Sequence, residues 1–309
     1  MLQVDLKKIA GFILFFLLVV GGSHGQDAAR YEVKEHRNLS YLKDFSLEID
    51  TLQRLNLALP KAEDNFPLLV WIGGGAWSYV DRNVEMDLAR KFAQEGIGFA
   101  SIGHRLSPAK WRDSTLSSGV RHPAHVKDIA SSVKWLFDNA SKYGYDKEKI
   151  FVGGYSSGAH LAALLCLDDS YLNEKGLSTS NIRGVIPISG TYDIVNYHEV
   201  FRTGERPELA ELHVQAVFGD TKEDFIKASP TSYLQNLGVP MLLISDNALD
   251  RYTRLFEKRL KETDFDNYSI IYVSELNHGQ LWNNLSFDDF STYRVAIIEF
   301  IKAKSGKTP

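Results

Sequence analysis

The chain has 309 residues, 44% of them hydrophobic and 24% charged, which suits one large α/β domain with a substantial core and excludes a disordered or repetitive chain. The formal net charge is -4, with Lys and Arg scattered along the chain, so the basic surface that a nucleic-acid partner requires is missing. Cys166 is the only cysteine; an intramolecular disulfide is excluded and stability must come from packing.

In chain order, Lys7 and Lys8 precede an apolar run from Ile9 to Val20, and Gly21-Gly22-Ser23-His24-Gly25 follows. This order predicts a signal peptide over residues 1–25, cleaved after Gly25 to leave Gln26 at the start of a secreted or periplasmic protein that keeps no membrane contact. An uncleaved anchor is the alternative, although no basic stop-transfer cluster follows the run. Residues 26–309 then read as a single domain. Asp44–Asp50 and Gln53–Leu59 are expected as two N-terminal strands, with a polar turn after Pro60. Apolar runs at Leu68–Ile72, Gly98–Ile102, Ile150–Gly154, Ile182–Ile188, Val239–Ser245 and Ser269–Val273 alternate with helix-like segments. That alternation predicts a mostly parallel doubly wound sheet with helices on both faces. Between Pro123 and Ala140, the residues Val126, Ile129, Ala130, Val133, Leu136 and Phe137 recur at helical spacing. The interval from Thr191 to Asn236 breaks the rhythm without one clear helix. It is expected to be a small cap insertion, about 191–236, over the strand ends where open α/β sheets bind ligands. Its Arg202, Glu205, Arg206, Glu208 and Glu211 make it too charged for the apolar lid of an interfacial lipase.

The chemistry gathers at three places. Ile150-Phe151-Val152-Gly153-Gly154 runs into Tyr155-Ser156-Ser157-Gly158 and then an apolar helical stretch, the strand–turn–helix context of a G-x-S-x-G nucleophile elbow. Ser156 is the candidate nucleophile. A serine hydroxyl needs an imidazole to take its proton and a carboxylate to orient that imidazole. His278 follows the last core strand and is the candidate base. Asp246 and Asp250 both follow the preceding strand, and Asp250, with a short turn to reach across, is expected to be the acid; the other carboxylate would cap the next helix or face solvent. Gly73-Gly74-Gly75-Ala76-Trp77 ends the first core strand. Its Gly74, Gly75 and Ala76, with the Ser157 amide, are the candidate oxyanion hole. No Gly-Lys-Ser/Thr follows to make the run a phosphate cradle.

The other polar residues read as structural. His160, one turn past Ser156, would point along its helix and pack with a hydrogen bond, and Cys166 is expected to be a buried small apolar residue. His122 and His125 lack a third ligand for a metal site. No metal or cofactor is called for, and the oligomeric state is not legible.

Over roughly residues 45–305 the chain resembles α/β-hydrolases of the esterase/lipase family, in the branch near hormone-sensitive lipases and bacterial feruloyl-esterase-like enzymes. The similarity is carried by Val70–Trp77, close to an H-G-G-G/A-W motif, and by Arg105-Leu106-Ser107-Pro108, close to Y-R-L-x-P. Pro123–Asp128, Gly154–Leu161 and Ala228-Ser229-Pro230 complete it. Gly73 stands where the motif has His, and His104 where it usually has Tyr. The resemblance implies hydrolysis of a small or carbohydrate-linked carboxylic ester, acetyl or feruloyl among them, through an acyl-enzyme. An arylformamidase-like amidase with the same triad, and a non-catalytic binding module on the same fold, are the alternatives.

Overall fold

Alternating apolar side chains decide how the sheet is covered. The computed structural model describes residues 31–42, 52–62 and 64–306. Among these, β1 (Val33–Ser40), β2 (Arg54–Pro60), β3 (Phe66–Ile72), β4 (Gly98–Ile102), β5 (Tyr145–Tyr155), β6 (Gly184–Ile188), β7 (Met241–Ser245) and β8 (Tyr268–Tyr272) form one sheet in the order β1-β2-β4-β3-β5-β6-β7-β8. β2 pairs antiparallel with both β1 and β4, and every other neighbouring pair is parallel. In β3, Leu68, Val70 and Ile72 enter one core layer while Leu69 and Trp71 enter the other, the two-residue period of a strand buried on both faces.

The main helices are α1 (Met86–Gln94), α2 (Ala124–Asp138), α3 (Ser157–Leu167), α4 (Ile194–Arg202), α5 (Lys222–Ala228), α6 (Asp250–Leu260), α7 (His278–Ser286) and α8 (Thr292–Ser305). Val126 of α2, Leu161 of α3 and Phe256 of α6 pack into the first layer; Phe92 of α1, Leu281 of α7 and Ile297 of α8 pack into the second. The sheet is therefore doubly wound, as the alternation predicts. All eleven residues of α3 are buried, so this helix has no solvent face and sits in the core. A buried carboxylate fastens the next layer: Asp128 of α2 accepts from the Arg105 amide and guanidinium and from Gln53 Nε2.

Strand β1 was not expected; its Val-Lys-Glu-His-Arg-Asn-Leu-Ser sequence is half exposed at the sheet edge, where charge is tolerated and apolar alternation is weak. The strand expected at Asp44–Asp50 and the signal peptide over 1–25 lie outside the described residues. The segment from Thr191 to Asn236 is a succession of short helices: α4, a π-helical piece at Ala210–Gln215, α5, and a 3-10 stretch at Pro230–Asn236. Two of its arginines are paired locally, Arg202 with Glu199 and Arg206 with Glu208. No described helix is long and apolar enough to cross a membrane.

Candidate active site

Strand β5 and helix α3 meet at Ser156, whose φ of 56° and ψ of -118° lie in the left-handed half of conformational space. A bulkier turn would not fit. A Cβ on Gly158 would lie 2.0 Å from the Ile72 carbonyl oxygen, and one on Gly154 would lie 2.5 Å from the Gly158 backbone. The Ser156 amide donates to the Ile188 carbonyl of β6 (2.8 Å), which fixes the turn to the neighbouring strand while the residue stays partly exposed.

His278 is the first residue of α7. Asn277 caps that helix: its Oδ1 accepts from the Gln280 amide (3.0 Å), and Gln280 Oε1 accepts from the Asn277 amide (2.9 Å), a reciprocal capping box. The His278 imidazole pairs through Nδ1 with Asp246 Oδ2 at 2.7 Å, so the carboxylate at this imidazole is Asp246. This corrects the expectation for Asp250, which lies inside the first turn of α6 and pairs with Arg254, one turn along the helix, at 2.9 Å. Asp246 leaves β7 directly, and the loop behind it is pinned to the His278 loop: the Asn247 amide donates to the Leu276 carbonyl (3.1 Å) and Asn247 Nδ2 to the Ser274 carbonyl (2.8 Å). Asp246 is fully buried. Burial alone would raise its carboxyl, but hydrogen bonds from His278 and Ser189 outweigh it and hold it below the usual carboxylate range.

Tyr155, beside Ser156 in the elbow, was not singled out in the sequence. Its ring lies 4.9 Å from the His278 ring and its hydroxyl donates to the His278 carbonyl, so it packs beside the imidazole and ties down its backbone. An aromatic residue immediately before the serine was the available signal.

The glycine loop leaves β3 beside the elbow: a Cβ on Gly74 would lie 3.2 Å from Ser156 Cβ. Gly75 (φ 141°), Ala76 (φ 51°) and Trp77 (φ 58°) are all left-handed, which turns the chain back so that the Ser78 and Tyr79 amides donate to the Gly75 carbonyl. Among the described residues, none accepts a hydrogen bond from the Gly75, Ala76 or Ser157 amide. Trp77 is locked from behind, since its indole Nε1 donates to His160 Nδ1 (3.2 Å) and His160 Nε2 donates to the Ala228 carbonyl (2.8 Å). Burial pushes the His160 imidazole down to about 3, so it stays neutral in this relay of neutral donors and acceptors. Cys166 is likewise buried, and its thiol is pushed up to about 12. Among the described residues, no group of three or more His, Cys, Asp or Glu could hold a metal ion.

Two cavities flank Ser156. The larger, about 340 Å³, also contains Gly74, Gly75, Glu85, His278 and Trp282 in its wall. The smaller, about 60 Å³, is closed by Ala76, Trp77, Thr191, Tyr197, Leu249 and Tyr252, so the segment after Thr191 reaches the site through Thr191 and Tyr197.

The BD-FAE family matches residues 55–252. Esterase LipC of Mycobacterium tuberculosis is 28% identical over 253 residues, covering 79% of this chain and 59% of LipC. The isoprenylcysteine alpha-carbonyl methylesterase ICME of Arabidopsis thaliana is 28% identical over 188 residues, 59% of this chain and 41% of that protein. The chain thus spans about half the length of these curated relatives. Among solved structures, esterase B from Lactobacillus rhamnosis superposes with a TM-score of 0.73 at 18% identity, covering 97% of this chain and 96% of that one. A truncated carbohydrate esterase from gut microbiota gives a TM-score of 0.68 at 18% identity, over 92% of this chain and all of that one.

Proposed function

The chain belongs to the BD-FAE family, and from that we propose that it is a serine hydrolase of carboxylic esters working through an acyl-enzyme. Ser156 Oγ attacks the ester carbonyl carbon as His278 Nε2 takes its proton, and Asp246 holds the imidazole with Nδ1 protonated and stabilises the imidazolium. The Gly75, Ala76 and Ser157 amides, with Gly74 giving the loop its close approach, receive the negative charge on the carbonyl oxygen. When the tetrahedral adduct collapses, the C–O bond to the alcohol breaks and His278 returns the proton to the leaving oxygen. Water then attacks the acyl-Ser156 carbonyl by the reverse sequence, releasing the acid.

The observation that carries the reading is the His278–Asp246 pair at 2.7 Å beside a cavity whose wall also contains Ser156. The same geometry supports an orientation for the substrate. The alcohol must leave toward His278, which belongs to the wall of the larger cavity only; the acyl group then occupies the smaller one. One water needs ~10–15 Å³ of such space, so 60 Å³ takes roughly four to six non-hydrogen atoms; short acyl groups fit and a feruloyl acyl group does not. Hydrolysis of p-nitrophenyl acetate, butyrate and hexanoate, run beside Ser156→Ala, tests both statements. Activity that falls with acyl length and vanishes in the variant supports them. Wild-type turnover no faster than Ser156→Ala would defeat the hydrolase reading and favour a binding module.

A further inference from the structure

Glu85 is a buried carboxyl that the reaction above does not use. Only 4% of it is exposed, yet it forms part of the wall of the larger cavity with Ser156 and His278. Its Oε2 accepts from Trp71 Nε1 at 2.9 Å, and the Trp282 side chain stands in the same cavity wall. These indoles belong to two of the elements that border the site. Trp71 sits one residue from the end of β3, just before Gly73 and the glycine loop, and Trp282 sits on α7 one turn after His278. Glu85 also occupies the space that a side chain at position 73 would need: a Cβ there would lie 2.9 Å from Glu85 Oε1 and 3.0 Å from Val80 Cγ2.

We propose that Glu85 is a positioning residue for ester hydrolysis, its carboxyl tying the strand that leads into the glycine loop to the helix that carries His278, in place of a side chain at position 73. The inference rests on the hydrolase reading above. The buried Trp71 N–H needs an acceptor, and the carboxyl that supplies it stands in the same cavity wall as Trp282, so Glu85 spans the gap between the strand end and α7. The oxyanion site and the base must be held to fractions of an ångström for their effects to combine, and residues 71 and 282 are near enough to each to transmit a displacement. Tyr79, Asp81, Tyr155 and His278 are the titratable groups around the same cavity. Burial, with repulsion from Asp81, pushes the Glu85 carboxyl up to about 7, against the lowering influence of the Trp71 and Trp282 indoles, so its charge changes within the working range of an imidazole base.

The test compares wild type, Ser156→Ala, Glu85→Ala and Glu85→Gln by kcat and KM for p-nitrophenyl acetate from pH 5 to 9, with thermal melts of each. Glu85→Ala is expected to lower kcat by about tenfold or more with KM within about threefold. Glu85→Gln, which keeps a carbonyl acceptor, is expected to recover most of kcat at pH 6 and to lose one ionisation near pH 7 from the profile. Wild-type kcat and an unchanged profile in both variants would overturn the inference while Ser156-dependent turnover keeps the hydrolase reading. Loss of kcat only in step with loss of folded protein would reduce Glu85 to a structural role. If Glu85→Ala does not fold, the Glu85→Gln profile decides alone. Absence of Ser156-dependent turnover in wild type removes the reading and this inference with it.

Discussion

Asp246 serves two elements with its two oxygens. Oδ1 accepts from the Ala248 and Leu249 amides at 2.8 and 3.0 Å, turning the chain into α6, and Oδ2 holds His278. Asn at this position can keep the first role by presenting its carbonyl to the backbone; its NH₂ then faces His278 Nδ1 and enforces the wrong tautomer. Asp246→Asn is therefore expected to fold and to lose kcat by on the order of 10³- to 10⁴-fold. Asp250→Asn loses one exposed pair with Arg254 and is expected to keep kcat within about twofold and stability within ~0.5 kcal/mol. Equal damage from the two would contradict the assignment. The choice was not legible in Asp246-Asn247-Ala248-Leu249-Asp250, because both carboxylates follow the same strand and only the tight turn at Ala248 decides which one faces α7. Ser156 and His278 were legible because strand–turn–helix context and chain order restrict them. Glu85 also has a stability signature. Its carboxyl is raised from 4.5 to about 7, so the folded state binds the proton more tightly than the unfolded chain. The stabilisation is complete below about pH 4.5 and is lost as the pH rises through about 7, by about 3 kcal/mol in all. Glu85→Gln should thus be more stable than wild type at pH 8, and the gain should disappear at pH 4.5. Urea unfolding at both pH values measures it, and a gain independent of pH would refute the linkage.

At the scale of elements, α3 depends on its approach to β3. Gly158 has no space for a side chain, with the Ile72 carbonyl oxygen 2.0 Å from where a Cβ would be, and neither backbone can yield without moving the elbow or the glycine loop. Gly158→Ala is expected to cost several kcal/mol and to abolish activity in whatever fraction remains folded; a melting temperature within about 2 °C of wild type would show that the strand yields. Helix α2 was legible from the spacing of Val126, Ile129, Ala130, Val133 and Leu136, all buried. β4 was legible from an apolar run that matches its observed bounds, Gly98–Ile102. β1 and α1 were not. The first is a charged edge strand, and the second starts at Met86 behind an N-cap, Glu85, that makes no side-chain cap hydrogen bond, so the usual start signal is missing.

At the scale of the whole molecule, one topology gathers distant residues. Gly73, Ser156, Ser189, Asp246 and the His278 loop all follow the carboxyl ends of parallel strands β3, β5, β6, β7 and β8, where open α/β sheets present their ligands. That much follows from the alternation of apolar runs. The supports do not: the Trp77–His160–Ala228 relay and the Glu85–Trp71–Trp282 cluster join residues separated by tens of positions, and nothing in the local pattern announces such contacts. The two cavities share a single lining residue, Ser156. Discrimination on one side of the scissile bond can therefore drift independently of discrimination on the other. Leu249→Ala, enlarging the smaller cavity, should raise the relative rate on butyrate over acetate, and Val84→Ala should alter only the preference among alcohols. Combined, their free-energy effects on kcat/KM should sum to within ~0.5 kcal/mol. An interaction energy above about 1 kcal/mol in that double-mutant cycle would mean that the two sides are one pocket. Additive behaviour would make this a scaffold on which acid and alcohol selectivity are separate inherited traits.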